Sequence, residues 1–213
     1  MRTNLVCSPG LLASTLALSE TRDSEVIARL VAYSELLDRW SRVQRLVGWR
    51  KASLLATEGL ADAWTLRAVV DAYPDDWVLD LGSGAGLPGL ILSIARTHRE
   101  VHLVEPRRKR VSFLREVRRE LGLENLTVHH GREEDLRAVF RDRRGPLLFA
   151  RAFRPPEQLL TCASAWGARA CVLSLGIDRR VELADWRVVD EVEGRPQDRK
   201  RHCVLEPSAA DAT

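Results

Sequence analysis

The chain predicts an α/β fold: an open, mostly parallel sheet of seven strands with helices on both faces, behind a helical N-terminal cap. Three observations carry this. From residue 76 onward, short β-prone runs alternate with stretches of helical period, the pattern of strand–helix–strand units. The last two β-prone runs follow one another with no helical stretch between them, which implies an antiparallel hairpin at a sheet edge. Before residue 76, apolar residues recur only at helical spacing. At 213 residues the chain has room for one full core with an appendage. The expected division is a cap over residues 1–72 and a sheet domain over 73–213.

Residues 1–20 are mildly apolar but broken by Pro9-Gly10 and several serines, and read as a loose lead-in. A helix is predicted from Asp23 or Ser24 through Val47, with apolar residues at Val26, Ile27, Leu30, Val31, Leu36, Leu37, Trp40, Val43, Leu46 and Val47. A second covers about 53–72 and ends before Pro74. Strands follow at 77–81, 101–105, 126–130, 147–151, 170–175, 186–192 and 202–206, and helices at 88–97, 107–122, 133–140 and 155–166 separate the first five.

Hydrophobic residues make up 45% of the chain and charged residues 30%, ordinary for a soluble globular protein, and no apolar run reaches membrane-spanning length. Cys7, Cys162, Cys171 and Cys203 have neither CxxC nor metal-ligand spacing, so buried free thiols in a reducing cytoplasm are expected, and no metal. Net charge is only +3, yet Lys51, Lys109 and Lys200 are the only lysines among 33 basic residues. Codon bias toward arginine gives such a count by itself. The clusters at 107–110, 118–119 and 141–144 also suit a surface that meets nucleic acid.

The most informative stretch is "LDLGSGAGLPGL", Leu79 to Leu90, with four glycines in eight residues after an apolar run. It falls at the end of the first strand and the start of the first following helix. Missing side chains there let backbone N–H groups and a helix N-terminus approach a ligand closely. Pro88 suits the first turn of that helix. Gly84-x-Gly86-x-x-Gly89 formally matches a dinucleotide fingerprint, and Glu105 lies about 20 residues on, where a carboxylate accepts both hydroxyls of a ribose. Both NAD and S-adenosylmethionine carry that ribose. Two features favour the latter: Asp80, before Leu81 and Gly82, suits a cationic or amino-bearing ligand, and the chain ends in a hairpin where a dinucleotide fold expects a second parallel half.

"DLGSGAGLPG", followed by "EPRRKRVSFLREVRRELGLENLTVHHGREEDL" and "ARAF", resembles the RsmG (GidB) family, bacterial methyltransferases of guanine N7 in small-subunit ribosomal RNA. The clear resemblance covers about 76–160. It implies a Rossmann-like class I methyltransferase fold and S-adenosyl-L-methionine as cofactor. Gly82, Ser83, Gly84, Gly86 and Leu87, with Asp80 beneath them, would hold its methionine and ribose part, Glu105 the ribose hydroxyls, and Arg132 and Glu133 would border the adenine. Arg151 would sit near the methyl group and incoming base. Three stretches depart from the family pattern. Arg45-Leu46-Val47 stands for Asn-Leu-Thr, Gly59-Leu60-Ala61-Asp62-Ala63 for His-Ile-x-Asp-Ser, and Ser174-Leu175-Gly176 for Leu-Lys-Gly. All three lie where the family faces its substrate.

Guanine N7 presents a lone pair, so methyl transfer there needs alignment and no general base. His129-His130, at a strand end, is thus not required as a base. The expected partner is small-subunit ribosomal RNA or its assembly intermediate, met by a cytoplasmic monomer without metal or membrane. Two other readings stand beside this one: a diverged relative acting on another RNA or a small molecule, and a cofactor- or RNA-binding protein without turnover. An NAD-dependent oxidoreductase is a more distant alternative.

Overall fold

The computed structural model describes residues 3–151, 153–176, 178, 181, 183, 185–193 and 200–208. Seven strands, β1 (Val78–Leu81), β2 (Val101–Glu105), β3 (Leu126–His130), β4 (Leu147–Ala150), β5 (Ala170–Gly176), β6 (Trp186–Glu193) and β7 (Lys200–Pro207), form one sheet in the order β3-β2-β1-β4-β5-β7-β6. The first five are parallel, and β7 lies antiparallel between β5 and β6. The hairpin is therefore as expected, with β6 at the edge and β7 inside the sheet. β1, β2 and β4 are buried along their whole length, β4 as a continuous apolar run and β1 and β2 with Asp80, His102 and Glu105 buried among apolar residues.

Strand order reverses between β1 and β4. The chain leaves β1 toward one side and β4 toward the other, which opens a crevice beyond their carboxyl ends. Register sets what faces it: Asp80 pairs with Leu103 on one side and Phe149 on the other. Two residues further on, Gly82, Glu105 and Arg151 come level.

Helices α1 (Pro9–Leu16), α2 (Ser24–Ser41), α3 (Ala52–Leu54), α4 (Ala61–Thr65) and α5 (Arg67–Ala72) precede the sheet, with a π-helical turn at Leu55–Leu60 between α3 and α4. α6 (Gly89–Ala95), α7 (Arg108–Glu120), α8 (Glu133–Leu136) and α9 (Pro156–Ala165) flank it. Two expectations need correction. The lead-in is structured: Ser8 caps α1 by accepting from the Leu11 N–H, Pro9 opens the first turn, and Leu5, Cys7 and Leu12 are fully buried. The Pro9-Gly10 pair starts a helix there, because proline at the first helical position loses only an N–H that has no partner anyway. The long helix stops at Ser41, leaving Val43 exposed and residues 42–51 as a connecting segment.

The cap shares its core with the sheet. Tyr33 and Trp40 of α2 pack edge-on or tilted against Phe113 of α7, in one cluster with Leu90, Val101 and Leu103. A second cluster, with Trp77, Leu148, Leu160 and Trp166, fills the opposite face. The four cysteines are buried and unbridged.

Candidate active site

After β1 the chain makes three left-handed steps, with Gly82 at φ 69°, Gly84 at 60° and Gly86 at 89°. Each costs an L side chain roughly 1–2 kcal/mol, so glycine is the residue that fits. Two of them also answer a contact. A Cβ on Gly82 would lie 2.5 Å from the Phe153 ring, and one on Gly86 2.7 Å from the Leu90 Cβ. A Cβ on Gly84 would meet the Arg110 guanidinium at 3.5 Å and the Gly82 carbonyl oxygen at 3.7 Å, both ordinary contacts, so this glycine keeps backbone open rather than relieving a clash. The Leu87–Pro88 peptide is cis, and α6 begins immediately afterwards at Gly89. From the cap, the fully buried Tyr33 donates its hydroxyl to the Ala85 carbonyl at 2.8 Å, so α2 braces the turn from behind.

Glu105, at the end of β2, is buried. One carboxylate oxygen accepts from the Gly84 N–H and the other from the Arg107 N–H, both at 2.9 Å, with the Arg110 guanidinium 3.7 Å away. Each oxygen has accepted one N–H and keeps further acceptor capacity, and Glu105 lines the cavity described below. Asp80 is buried completely under the turn. Its Oδ2 accepts from the Gly89 N–H at 2.9 Å, and its Oδ1 has no partner among the described residues. Burial pushes its pKa up to about 7.

Across the crevice, Arg151 leaves the end of β4. Its guanidinium donates to Asp62 Oδ2 at 2.8 Å and lies 5.6 Å from the Trp49 ring centroid. Asp62, in α4 and buried, meets His202 Nε2 through Oδ1 at 2.9 Å, and His202 Nδ1 lies 2.8 Å from Ser174 Oγ. A buried chain of polar groups thus runs from the sheet interior to the crevice: Ser174 on β5, His202 on β7, Asp62 and Arg151.

One cavity of about 630 Å³ is bounded by both sides of this arrangement. Gly82, Ser83, Gly84, Ala85, Leu87 and Glu105 line it with Phe153, whose ring packs against Gly82. Arg151 and the Leu46–Trp49 segment also line it, with Pro106, Arg107 and Arg110. Of the residues singled out in the sequence, the structure brings Gly82, Ser83, Gly84, Leu87, Glu105 and Arg151 together here. Asp80 and Gly86 shape the turn from beneath. Arg132 and Glu133 are not brought into the cavity. Arg132 is exposed beside Glu134, whereas Glu133 is buried and accepts from the Trp166 indole at 3.0 Å with Arg154 3.4 Å away. His129 bonds to His102 at 2.8 Å, packs against Phe140, and is also absent from the cavity wall. Burial and the neighbouring His102 and Arg115 lower its pKa to about 4.

Sequence reasoning missed Tyr33, Trp49, Phe153, Asp62 and His202 as parts of the site. The partial signal was the set of departing stretches. One residue or more of each stretch is linked to Arg151: Leu46 and Val47 line the same cavity, Asp62 accepts from it, and Ser174 connects to it through His202 and Asp62. His202 had no local signal, since its partner Asp62 is 140 residues away.

A doubly wound sheet with a glycine turn at its switch point, a carboxylate on the next strand and an arginine opposite defines the class: a Rossmann-like α/β protein with class I methyltransferase topology. The family follows from the comparisons. The model of GidB, rRNA small subunit methyltransferase G, matches residues 26–169, and the chain belongs to that family.

Ribosomal RNA small subunit methyltransferase G of Wolinella succinogenes is 36% identical over 141 residues, which cover 66% of this chain and 69% of that protein. The protein of the same name from Methylobacillus flagellatus is 38% identical over 111 residues, 52% and 53% of the two chains. That from Marinobacter nauticus is 32% identical over 152 residues, 71% and 66%. The chain thus spans about half to two thirds of the length of the curated relatives it matches. Among solved structures, a mutant of MtNAS in complex with S-adenosylmethionine has a TM-score of 0.56 at 14% identity, covering 92% of this chain and 82% of that one. At that identity the likeness concerns the fold alone. Among the described residues no cluster of His, Cys, Asp or Glu could hold a metal ion, and no helix is long and apolar enough to cross a membrane.

Proposed function

We propose that the chain is an S-adenosylmethionine-dependent methyltransferase of small-subunit ribosomal RNA, acting on guanine N7. One observation carries this reading: a single cavity lined by the glycine turn and Glu105 together with Arg151 and two aromatic rings, Trp49 and Phe153. The residues present fit the cofactor. The turn offers bare backbone at Gly84, where nothing but a flexible guanidinium end stands within 3.5 Å of an added Cβ, and Glu105 keeps acceptor capacity for ribose hydroxyls.

When bound, the cofactor supplies an electrophilic methyl group on a sulfonium. The protein's own part is positioning. Glu105 and the Gly82–Gly86 turn orient the ligand. Trp49 and Phe153 line the cavity, where aromatic surface suits stacking on a base drawn out of its stack. Arg151, aimed by Asp62, holds the nucleotide by its planar donors. No group is needed to remove a proton, because N7 already carries its lone pair. A monomer working in the cytoplasm on ribosomal RNA or an assembly intermediate goes with this reading. The absence of a lysine at Ser174–Gly176 favours a second: binding of the cofactor without turnover.

Calorimetry with S-adenosylhomocysteine and label transfer to unmodified ribosomal RNA, read together, test both. Binding with transfer, lost in Arg151→Ala while cofactor affinity holds, is expected. Binding without transfer selects the second reading, and no binding refutes both.

A further inference from the structure

We infer that a second cavity, walled by Arg42, Arg45 and Arg50, is a phosphodiester-binding subsite that grips the RNA strand beside the nucleotide presented to Arg151. This rests on the RNA-methyltransferase reading above and adds to it the place where the strand continues. The cavity measures about 650 Å³ and adjoins the first, the two sharing Val47, Gly48 and Trp49 as a common wall. Each is of the size that takes a nucleotide-scale ligand. A free small molecule would be served by the first cavity, whereas a polymer whose base enters there has a backbone that must run on past its wall.

The second cavity is built rather than incidental. Buried Asp38 accepts from the Leu5 N–H at 2.9 Å and from Arg42 at 2.8 Å, which ties the N-terminal segment and one arginine to α2. The Asn4 N–H donates to the Arg50 carbonyl at 3.0 Å, and Asn4 bridges to Lys51, so the backbone under Arg50 is held from the other side. Arg45 and Arg50 themselves have no ion pair or side-chain hydrogen bond among the described residues. Ser41 Oγ, on the same wall, is buried without a partner.

Among the described lining residues there is no carboxylate. A concave site of one sign, with planar guanidinium donors left unspent, is suited to a phosphate oxygen pair.

The test is fluorescence anisotropy of an unmodified small-subunit ribosomal RNA transcript titrated with the full chain across a salt series. Each phosphate contact on a single strand contributes about 0.7 to the slope of log affinity against log salt. In Arg45→Ala/Arg50→Ala the slope is expected to become shallower by about 1.4 and affinity at 0.1 M salt to fall about tenfold, with S-adenosylhomocysteine affinity unchanged. Arg45→Gln alone is expected to show about half the change in slope, and serves if the double variant does not unfold cooperatively. Arg169→Ala/Arg187→Ala, just before β5 and at the start of β6, removes equal charge outside the arginine clusters and is expected to leave the slope unaltered. An unchanged slope in the Arg45 and Arg50 variants, or an equal loss in this control, overturns the subsite alone. A wild-type chain that binds S-adenosylhomocysteine but no RNA overturns the subsite together with the RNA reading.

Discussion

Asp62→Ala removes the group that Arg151 and His202 share. The carboxylate is only 5% exposed, and both its oxygens are used, at 2.8 Å to Arg151 and 2.9 Å to His202. His202 is fully buried and keeps only Ser174 on its other nitrogen, while the Arg151 side chain is 25% exposed. Breaking a buried pair by deleting one partner costs about 3–5 kcal/mol, because the other charge is left uncompensated. Water reaches part of Arg151 and repays some of that, so about 3 kcal/mol is the expected loss. For a chain of this size each kcal/mol moves the midpoint of thermal unfolding by roughly 2–4 °C, giving a fall of about 6–12 °C.

Calorimetric or circular-dichroism melting measures it, and a cycle with Arg151→Met isolates the pair. Coupled neighbours deviate from additivity by about 0.5–3 kcal/mol. Methyl transfer is expected to fall with the same substitution, since an Arg151 released from Asp62 no longer points into the cavity. A midpoint within about 2 °C of wild type, or strict additivity with Arg151→Met, would refute the idea that this buried chain of groups holds the arginine.

Tyr33→Phe strips the hydroxyl that holds the Ala85 carbonyl and is expected to cost about 1–3 kcal/mol, with weaker S-adenosylhomocysteine binding by calorimetry; unchanged binding would free the turn from α2. Gly86→Ala and Gly84→Ala should part company, although both start at positive φ. The first adds a Cβ 2.7 Å from Leu90 to the backbone strain that both share and so lowers the unfolding midpoint more, while the second carries the strain without a clash and acts mainly on cofactor affinity. Equal midpoints would contradict the contact argument. Asp80 has a folded-state pKa near 7, well above its unfolded value. Its contribution is therefore full below about pH 4 and is lost as pH rises through 7, by up to about 4 kcal/mol. Urea unfolding of wild type and Asp80→Asn at pH 5 and pH 8 checks the sign: wild type should lose more stability across that interval than the variant.

The sequence by itself determined the sheet and the glycine turn at its switch point. Short β-prone runs and helical stretches are local properties, and so is a glycine turn between a strand and a helix. β2 and β3 occupy the residues expected of them, and Glu105 ends β2 as read. The sequence alone did not reveal α1, because Pro9-Gly10 breaks a helix in one context and opens it in another, and only the burial of Leu5 and Leu12 tells which.

Tertiary structure alone decided the rest of the site. Tyr33 reaches Ala85 across 52 residues and His202 reaches Asp62 across 140, contacts that no spacing rule records. It also decided which carboxylates face the cavity. Glu105 ends β2 and Glu133 follows β3, yet one lines the crevice and the other turns inward to the Trp166 indole. Local pattern sets which backbone hydrogen bonds a segment can make, but which side chains meet depends on how sheet and helices pack, and that is a property of the whole chain.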